Sequence, residues 1–319
     1  LFDTVTTIVG YSDSEEEFSL LAGRIKGKLE EYHRLFDIYN NYDNLNNLKT
    51  INDNAGISPV HVDKKIIDLL LFSKKQYEAT GGAVNIAFGS VLKIWHEYRT
   101  AGVENPVQAE LPPMELLRQA GLHTDINNII INAEKATVYL KDPYMRLDAG
   151  AVAKGYATEQ VALFFEKEGV NNLLLSVGGN IRAIGGKRFN NETVPWNIGI
   201  KNPNKSSPQD EIMSVNIRSS SLVSSGSYER YYTVDGKQYH HIINHKTLMP
   251  SGYYDAVSVI CPGSGAADAL STALFNMPPE ESLNLVESIP DTEALWVFDD
   301  GSWMQTDGFD KYIFRGLDR

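Results

Sequence analysis

The chain has 319 residues, of which 42% are hydrophobic and 22% are charged. These are the values of an ordinary globular protein, and they exclude the disordered and fibrous classes. The net charge of −12 excludes the basic character expected of a nucleic-acid-binding protein, so we expect no nucleic-acid partner. A single cysteine, Cys261, excludes an intramolecular disulfide and a zinc site built on several cysteines.

The chain contains no run of 18 apolar residues, so the sequence predicts no membrane-spanning helix. It begins with Leu1 and runs directly into a strand-like segment. We therefore expect that a leader or anchor precedes this segment in the full protein.

The first part of the chain is predicted to be mainly helical. Residues 1–11 alternate as in a strand, and apolar residues at helical spacing then predict a long amphipathic helix from Ser12 through Tyr32. Residues 36–56 are rich in asparagine and are predicted to form an irregular loop. Further helices are predicted over 63–80, over 84–98, and from Pro112 or Pro113 through Leu117.

From residue 129 the pattern changes to short β runs. Strands are predicted over 129–132, 136–140, 173–177, 181–184, 196–201, 212–218, 229–234, 255–260, 294–298 and 310–314, and helices over 151–168, 266–276 and 279–288. Because the strands come in runs and do not alternate with helices, the α+β class is favoured over a doubly wound sheet. We expect a single domain over 1–319, with a mainly helical part (1–125) and a β-rich part (126–319) that carries a metal site.

The first segment with chemical character is 146–156. Asp148 ends a strand, small residues then open a helix, and Lys154 adds a cation one turn into it. A helix N-terminus favours an anion, and small residues allow a ligand to approach the backbone. Taken alone, the segment favours a capped helix that crosses a strand closely.

Two glycine-containing segments follow. Gly178 and Gly179 stand at a strand end, which indicates either a tight turn or a ligand contact. The hydroxyl cluster of 224–230 can line a phosphate site, with Arg230 as a neutralising cation, or form a surface turn. Neither segment is a dinucleotide-binding or P-loop fingerprint.

Three histidines fall within residues 240–245, and imidazoles serve as proton shuttles or metal ligands near neutral pH. In a strand, His240 and His241 would point to opposite faces, so the pattern does not favour a zinc site.

Asp268 and Thr272 stand four residues apart in a predicted helix and therefore share one face. A carboxylate and a hydroxyl are hard oxygen donors suited to magnesium. The alternative is an aspartate near the helix start and a Thr272 hydroxyl that bonds its own backbone.

The order of these segments is more specific than any one of them. The chain resembles the ApbE family of bacterial FAD:protein FMN transferases over almost its whole length. The matching pieces are Phe2 to Thr6, Ile51-Asn52, Thr80 to Ile86 with Trp95, Leu147-Asp148 through Tyr156, Gly178 to Asn180, Trp196 with Gly199-Ile200, Ser225 to Tyr228, Tyr239 to Ile242, and Ala267-Asp268 through Thr272.

The resemblance implies an α+β fold with a core related to the tunnelling fold, and FAD as the substrate. It implies Mg²⁺ as the cofactor, with Asp268, Thr272 and the backbone carbonyl of Ala151 as ligands. The FAD contacts that it implies are Phe2, Val84, Asn85, Ile86, Asp148, Lys154, Gly179, Ser225, His241 and Ile242.

The reaction that the resemblance implies is attack by a protein threonine on the FMN-side phosphorus of FAD, with release of AMP. His241 is the candidate proton acceptor, and Asn244 belongs to the same catalytic segment. The family commonly has Asp-Pro where this chain has Asn244-His245, and many members have Asp in place of Asn85. One alternative function is a magnesium-dependent FAD pyrophosphatase, which uses the same site with water as the nucleophile. Because an amide carries no charge, Asn244 favours a second alternative, a non-catalytic FAD-binding protein.

The resemblance also implies a partner and a location. The acceptor threonine lies in a motif close to Asp-Gly-x-Ser/Thr-Gly-Ala-Thr, on a membrane redox subunit or a secreted flavoprotein. We expect the protein at the extracytoplasmic face of a bacterial membrane, as a lipoprotein anchored through a leader absent from this chain.

Overall fold

A computed structural model describes residues 1–2, 4–190 and 192–315. Asp3, which belongs to the first matching motif, lies outside these residues. The α-helices of the described residues are α1 (Glu15–Phe36), α2 (Leu48–Asp53), α3 (Lys64–Ala79), α4 (Gly89–Glu104), α5 (Met114–Gly121), α6 (Ala153–Lys167), α7 (Ser264–Phe275) and α8 (Pro279–Glu287).

The strands of the same residues are short, as the turn-rich sequence predicts. They are β1 (Thr6–Gly10), β2 (Val60–His61), β3 (Ile129–Asn132), β4 (Thr137–Leu140), β5 (Asn172–Val177), β6 (Asn180–Gly185), β7 (Lys187–Phe189), β8 (Glu192–Val194), β9 (Trp196–Lys201), β10 (Glu211–Ile217), β11 (Ser221–Gly226), β12 (Tyr231–Val234), β13 (Lys237–His240), β14 (Ala256–Cys261), β15 (Glu293–Val297) and β16 (Trp303–Gln305).

Contacts group the chain into two compact units, which are described separately below. The first comprises Leu1–Glu31, Lys154–Gly226 and Tyr253–Arg319, and the second comprises Tyr32–Ala153 and Ser227–Gly252. The single domain expected over 1–319, with parts at 1–125 and 126–319, stays a prediction.

The first unit is built on a seven-stranded antiparallel sheet in the order β1-β5-β6-β11-β14-β15-β16. Every residue of β14 is buried, because β11 and β15 flank it and α7 packs against it. Trp296, Phe165, Phe275 and Phe309 are among the largest fully buried side chains of this unit. The helix α7, which carries Asp268 and Thr272, is therefore seated on the centre of the sheet.

The second unit contains the small antiparallel sheet β2-β4-β3 and the hairpin β12-β13. The helix α4 packs against β12 and α5. Their shared apolar cluster includes Phe88, Trp95, Leu117, Tyr232 and Ile243. Among the described residues of the chain, no helix has both the length and the apolar character needed to cross a bilayer.

Most predicted elements are present, within one to three residues of their expected ends. The helix predicted over 63–80 is α3, which Asp63 caps by accepting a hydrogen bond from the Lys65 amide. The predicted hairpin of 129–140 is the pair β3 and β4.

The helix predicted over 84–98 is wrong at its start, because α4 begins at Gly89 and continues to Glu104. The preceding backbone instead pairs with the segment before α6. The Asp148 amide donates to the Ile86 carbonyl at 2.8 Å, and the Gly89 amide donates to the Arg146 carbonyl at 3.1 Å. Tertiary hydrogen bonds here override the helical preference of the sequence.

Other corrections concern loops and the C-terminal region. The loop predicted over 36–56 contains α2, whose start is a capping box formed by Asn47 and Thr50. The strand predicted over 310–314 is wrong, since Asp307–Tyr312 is a 3-10 helix and the last strand is β16. Ser224 and Ser225 lie in β11, which the sequence analysis did not predict.

Candidate functional site

In the first unit, the candidate site is centred on Asp268, a carboxylate that is only 4% exposed. Asp268 stands on α7, and its Oδ2 accepts a hydrogen bond of 2.8 Å from the backbone amide of Gly155. That amide belongs to the first turn of α6, where backbone N–H groups have no partner within the helix. The start of α6 therefore holds the carboxylate by its backbone.

Gly155 makes this contact possible because it has no side chain. A Cβ atom at position 155 would lie 2.4 Å from the Asp268 Cβ and 2.4 Å from the Ser264 carbonyl oxygen. The two helices cross at a distance that only glycine allows. Gly155, one of the small residues that the sequence placed at the start of this helix, thus serves the crossing with α7.

Lys154 places a positive charge beside Asp268, as the sequence predicted for the first turn of this helix. Its Nζ lies 3.9 Å from Asp268 Oδ1, and its side chain is 24% exposed. Burial raises the pKa of Asp268, and the charge of Lys154 opposes that rise. A buried carboxylate with one neighbouring cation is a place where additional positive charge is favourable.

The Thr272 hydroxyl lies one helical turn beyond Asp268. It makes no hydrogen bond to any residue that the structure describes, whereas Ser271 donates to the Asp268 carbonyl at 3.0 Å. Among the described residues, the back-bonding hydroxyl of this turn is therefore that of Ser271, and the role of Thr272 stays a prediction. The Ser225 hydroxyl lies 2.9 Å from the Ser271 hydroxyl, which links that predicted FAD contact to α7.

This donor set fits magnesium better than a softer metal. Within residues 1–2, 4–190 and 192–315, no group of three or more His, Cys, Asp or Glu side chains is arranged to hold a metal ion. Magnesium commonly takes one or two carboxylates and completes its shell with water and substrate phosphates. Asp268 and Thr272 fit that pattern, and the ligand set that includes the Ala151 carbonyl stays a prediction.

Phe2 and Gly179, two other predicted FAD contacts, both belong to the first unit. Gly178 and Gly179 form the turn between β5 and β6 with φ of +57° and +86°, which L side chains rarely adopt. The Gly178 amide donates to the Val5 carbonyl at 3.0 Å, so the segment that follows Phe2 runs beside this turn. The structure thus brings the N-terminal motif and the glycine turn together.

In the second unit, the structure brings Asn85, Ile86 and Asp148 together. Asn85 Oδ1 accepts from the Ala87 amide at 2.9 Å, and its Nδ2 donates to the Thr124 carbonyl at 2.8 Å. The backbone amide of Asp148 donates to the Ile86 carbonyl. The side-chain Oδ1 of Asp148 accepts from the Gly150 amide at 2.8 Å. Val84, the fourth predicted contact nearby, is buried and donates its amide to the Thr80 hydroxyl at 3.2 Å.

Asn52 fixes the residue before Asp148. Its Oδ1 accepts from the Leu147 amide at 2.6 Å, and its Nδ2 donates to the Leu147 carbonyl at 3.0 Å. The side chain of the buried Asn52 thus bonds both backbone polar groups of Leu147, as a neighbouring strand would. The sequence marked Asn52 as part of a matching motif but gave it no role.

The histidines of the second unit differ in what they bond. His240 uses both ring nitrogens within the chain, since Nε2 lies 2.7 Å from the Ser251 carbonyl and Nδ1 accepts from the Ile242 amide at 3.2 Å. His241 Nδ1 lies 3.2 Å from the Arg230 carbonyl. A carbonyl accepts only, so this contact selects the Nδ1–H tautomer, in which Nε2 carries the lone pair.

Asn244 shapes the turn that follows. It is 4% exposed, and its Oδ1 accepts from the amides of Lys246 at 2.9 Å and Thr247 at 3.2 Å. The Leu248 carbonyl in the same turn accepts from Trp95 Nε1 at 2.9 Å. An aspartate could accept the same two hydrogen bonds, so an exchange of Asn244 for Asp would add charge and preserve the turn.

Sequence reasoning missed a basic cluster in the second unit. Arg99 Nη2 donates to His96 Nδ1 at 2.9 Å. Burial, and then the charge of Arg99, lower the pKa of His96, and burial followed by the charge of Arg230 lowers the pKa of Arg99. The charge of Asp148 acts on both groups in the opposite direction. Spacing on α4 shows only that His96 and Arg99 share a face, so no sequence signal revealed their nearness to Asp148 and Arg230.

Comparison with known proteins assigns the chain to a family. The ApbE family model matches residues 2–296. The chain belongs to the ApbE family. Among its relatives, the FAD:protein FMN transferase of Treponema pallidum (strain Nichols) is 34% identical over 264 residues, which are 79% of this chain and 71% of the relative. The FAD:protein FMN transferase of Klebsiella pneumoniae (strain 342) is 30% identical over 272 residues, which are 83% of this chain and 81% of the relative.

Solved ApbE structures share the fold. The crystal structure of the ApbE protein from Thermotoga maritima has a TM-score of 0.83 at 28% identity, over 98% of this chain and 97% of that chain. The flavin transferase ApbE from Vibrio cholerae has a TM-score of 0.78 at 23% identity, over 97% and 96%. The predicted α+β class is confirmed, and so is the predicted membership of an enzyme family of transferases.

Proposed function

We propose that this chain is a magnesium-dependent FAD:protein FMN transferase that places FMN on a threonine of an acceptor protein and releases AMP. The observation that carries the proposal is the buried Asp268, held by the Gly155 amide and adjoined by Lys154. Supporting it are the relatives, which bear the name FAD:protein FMN transferase. The magnesium, the threonine and the released AMP are our extension of that name.

The proposed reaction exchanges one phosphorus–oxygen bond for another. The threonine oxygen bonds the FMN-side phosphorus, the bond from that phosphorus to the bridging oxygen breaks, and AMP leaves with the bridging oxygen. The threonine proton must pass to a base. His241 is our candidate, because its contact with the Arg230 carbonyl favours the tautomer in which Nε2 can accept a proton.

The pyrophosphate of FAD requires compensation of its negative charge. When bound, magnesium supplies positive charge that neutralises the pyrophosphate oxygens. Asp268 and Thr272 would hold it, with the Ala151 carbonyl as the third ligand. Lys154 contributes a fixed cation beside Asp268, which explains how a chain of net charge −12 can accept an anionic substrate.

The proposed partner is an acceptor protein with a motif close to Asp-Gly-x-Ser/Thr-Gly-Ala-Thr, on a membrane redox subunit or a secreted flavoprotein. We also propose that the enzyme works at the extracytoplasmic face of a bacterial membrane as a lipoprotein. Resemblance to the family supports both, and fractionation of the native cell tests the location.

One incubation tests the function. The protein is mixed with FAD, MgCl₂ and an acceptor that carries the motif, and the products are separated on a denaturing gel under ultraviolet light, with FMN and AMP measured by chromatography. We expect a fluorescent acceptor band and AMP in equal amount. FMN and AMP without a labelled band would establish a pyrophosphatase, and unchanged FAD would establish a binding protein.

His241→Gln tests the proposed base. Loss of a general base typically lowers a rate by about 10²–10⁴-fold, so we expect a fall of that size in FMN transfer. The rate is measured in a single turnover at saturating FAD, so that a weakened FAD contact of His241 does not enter it. His240→Gln is the neighbouring control, because both ring nitrogens of His240 serve the turn. A His241→Gln protein that transfers FMN at the wild-type rate would remove His241 from the mechanism.

A further inference from the structure

The helix that carries Asp268 lacks a cap of its own. Its N-cap residue is Gly263, which has no side chain to accept a hydrogen bond from the first turn. The amide of the buried Ser264, in the first turn of this helix, donates instead to Oε2 of Glu159 at 2.6 Å. Glu159 belongs to α6, so a neighbouring helix provides the cap of α7.

Glu159 is itself held by a buried cation. Arg182 Nε donates to the same oxygen, Oε2, at 3.0 Å, and the two side chains are 6% and 14% exposed. Arg182 Nη2 also pairs with Glu166 at 3.1 Å, and Nη1 donates to the Ala183 carbonyl. Arg182 thereby ties β6 to α6, and through Glu159 to α7.

The two contacts between α6 and α7 repeat at the spacing of one helical turn. Gly155 and Glu159 are four residues apart on α6, and Ser264 and Asp268 are four apart on α7. Gly155 holds the Asp268 carboxylate, and Glu159 holds the Ser264 amide. Two fixed points set both the position and the rotation of α7 about its axis.

We propose that Glu159, oriented by Arg182, is a positioning residue that fixes α7 so that Asp268 and Thr272 face the magnesium ion. This inference rests on the proposed function. Glu159 does not touch the ion in this proposal. It orients the ligands of the ion by holding the first turn of α7, as residues behind the ligands of a metal site do.

The alternative is that Glu159 stabilises the fold and has no bearing on the metal. Glu166 distinguishes the two, because it pairs with the same Arg182 but has no contact with the Ser264 amide. Loss of Glu166 disturbs the buried cation while leaving the cap of α7 in place. Glu166→Ala is therefore the matched control for Glu159→Ala.

The experiment titrates MgCl₂ into each protein with FAD and records flavin fluorescence. We expect Glu159→Ala to raise the Mg²⁺ concentration for half-maximal FAD binding about tenfold, since residues behind metal ligands typically have effects of 10–100-fold. Glu166→Ala should leave it within about twofold, as expected of a group outside that shell. Equal shifts in the two variants, or no shift in Glu159→Ala, would overturn the proposal.

A restored cap provides a second readout. The backbone of Gly263 has φ −114°, which any residue adopts, and a Cβ there would lie 3.6 Å from Glu159 Oε2, an ordinary contact distance. Adding Gly263→Asp to Glu159→Ala supplies an N-cap from within α7. We expect the double variant to recover at least half of the lost Mg²⁺ affinity, and a failure to recover any would count against positioning through the cap.

Hydrogen exchange separates failure of this inference from failure of the proposed function. If the wild-type protein shows no Mg²⁺ dependence, the proposed function fails. Exchange of the amides at the start of α7 then decides the positioning role. It should be faster in Glu159→Ala and unchanged in Glu166→Ala. Equal exchange in both variants would refute positioning by Glu159. If Glu159→Ala does not fold, Glu159→Met replaces it with the same expected outcomes, because methionine fills a similar space but offers the Ser264 amide no oxygen acceptor.

Discussion

The α6–α7 crossing of the first unit and the turn of residues 240–249 in the second use polar groups in different ways. At the crossing, a buried carboxylate is held by a backbone amide, and its position depends on the absence of a side chain at Gly155. In the turn, the side chains of His240 and Asn244 form hydrogen bonds with nearby backbone groups.

The difference predicts unequal tolerance to substitution. A carboxylate at Asp268 cannot be replaced without removing the charge that the site presents. At Asn244, an amide and a carboxylate can accept the same hydrogen bonds, so the turn survives the exchange. The chain has an amide, Asn244, at the tolerant position and a carboxylate, Asp268, at the intolerant one.

Asp268→Asn should have the largest effect. The amide has the same shape and can still accept from Gly155, so the crossing is kept while the charge is lost. We expect Mg²⁺-dependent turnover to fall on the order of 10³-fold, as when a charge-stabilising group is removed from an active site. The measurement is AMP release from FAD over a range of MgCl₂ concentrations.

The matched control is the thermal unfolding midpoint of the same variant, which should not fall, because burial raises the pKa of Asp268 and an uncharged side chain avoids that cost. Full activity in Asp268→Asn would remove this residue from the proposed magnesium site.

Gly155→Ala tests the crossing itself. The added Cβ would approach the Asp268 Cβ and the Ser264 carbonyl to 2.4 Å, so α6 and α7 must separate. Overpacking of this kind typically costs about 1–3 kcal/mol in the free energy of unfolding, which urea titration would measure.

Gly23→Ala in α1 is the control, since a Cβ there meets no atom within 4 Å. A helix interior favours alanine over glycine by about 0.5–1 kcal/mol, so this variant should be neutral or slightly stabilised. Equal effects of the two substitutions would contradict the close crossing.

The sequence predicted the elements better than their contacts. Helical and strand periodicity located α3, α7, β5 and most other elements, because the patterns of buried positions are local properties. It misplaced the start of α4, where the bonds that decide the structure come from Arg146 and Asp148, about 60 residues further along.

The candidate site shows the same limit. The order of the motifs identified candidate site residues, namely Asp268, Thr272, Lys154 and Asp148. It could not show that Ser271 and not Thr272 bonds back to the helix, since either hydroxyl can do so. Glu159 and Arg182 carry no motif, and only the tertiary structure places them at the start of α7.

Asn244→Asp tests whether the turn of residues 240–249 tolerates a carboxylate in place of the amide. The turn should persist, because the carboxylate can accept from the Lys246 and Thr247 amides as the amide oxygen does. We expect FMN transfer, measured in a single turnover, to rise a few-fold, since a negative charge near a proton-accepting histidine favours its protonated form.

Asn244→Ala is the control and should lower the stability by about 1–3 kcal/mol, because it leaves those backbone donors without their acceptor. A transfer rate in Asn244→Asp that is equal to or below that of the wild type would show that the amide does not limit the reaction.

His96 offers the smallest effect and the one that depends on pH. Burial and the charge of Arg99 lower the pKa of His96 below its ordinary value of 6.5. Below about pH 6.5 the unfolded chain therefore binds more protons at this position than the folded chain, so the free energy of unfolding rises with pH through this range.

In His96→Gln that contribution of the imidazole to the pH dependence disappears. We expect the stability of the variant, followed by urea unfolding between pH 5 and pH 8, to depend less steeply on pH below 6.5 than that of the wild type. A steeper slope in the variant would mean that the folded state favours the protonated imidazole, and Arg99 would then donate to a group other than His96 Nδ1.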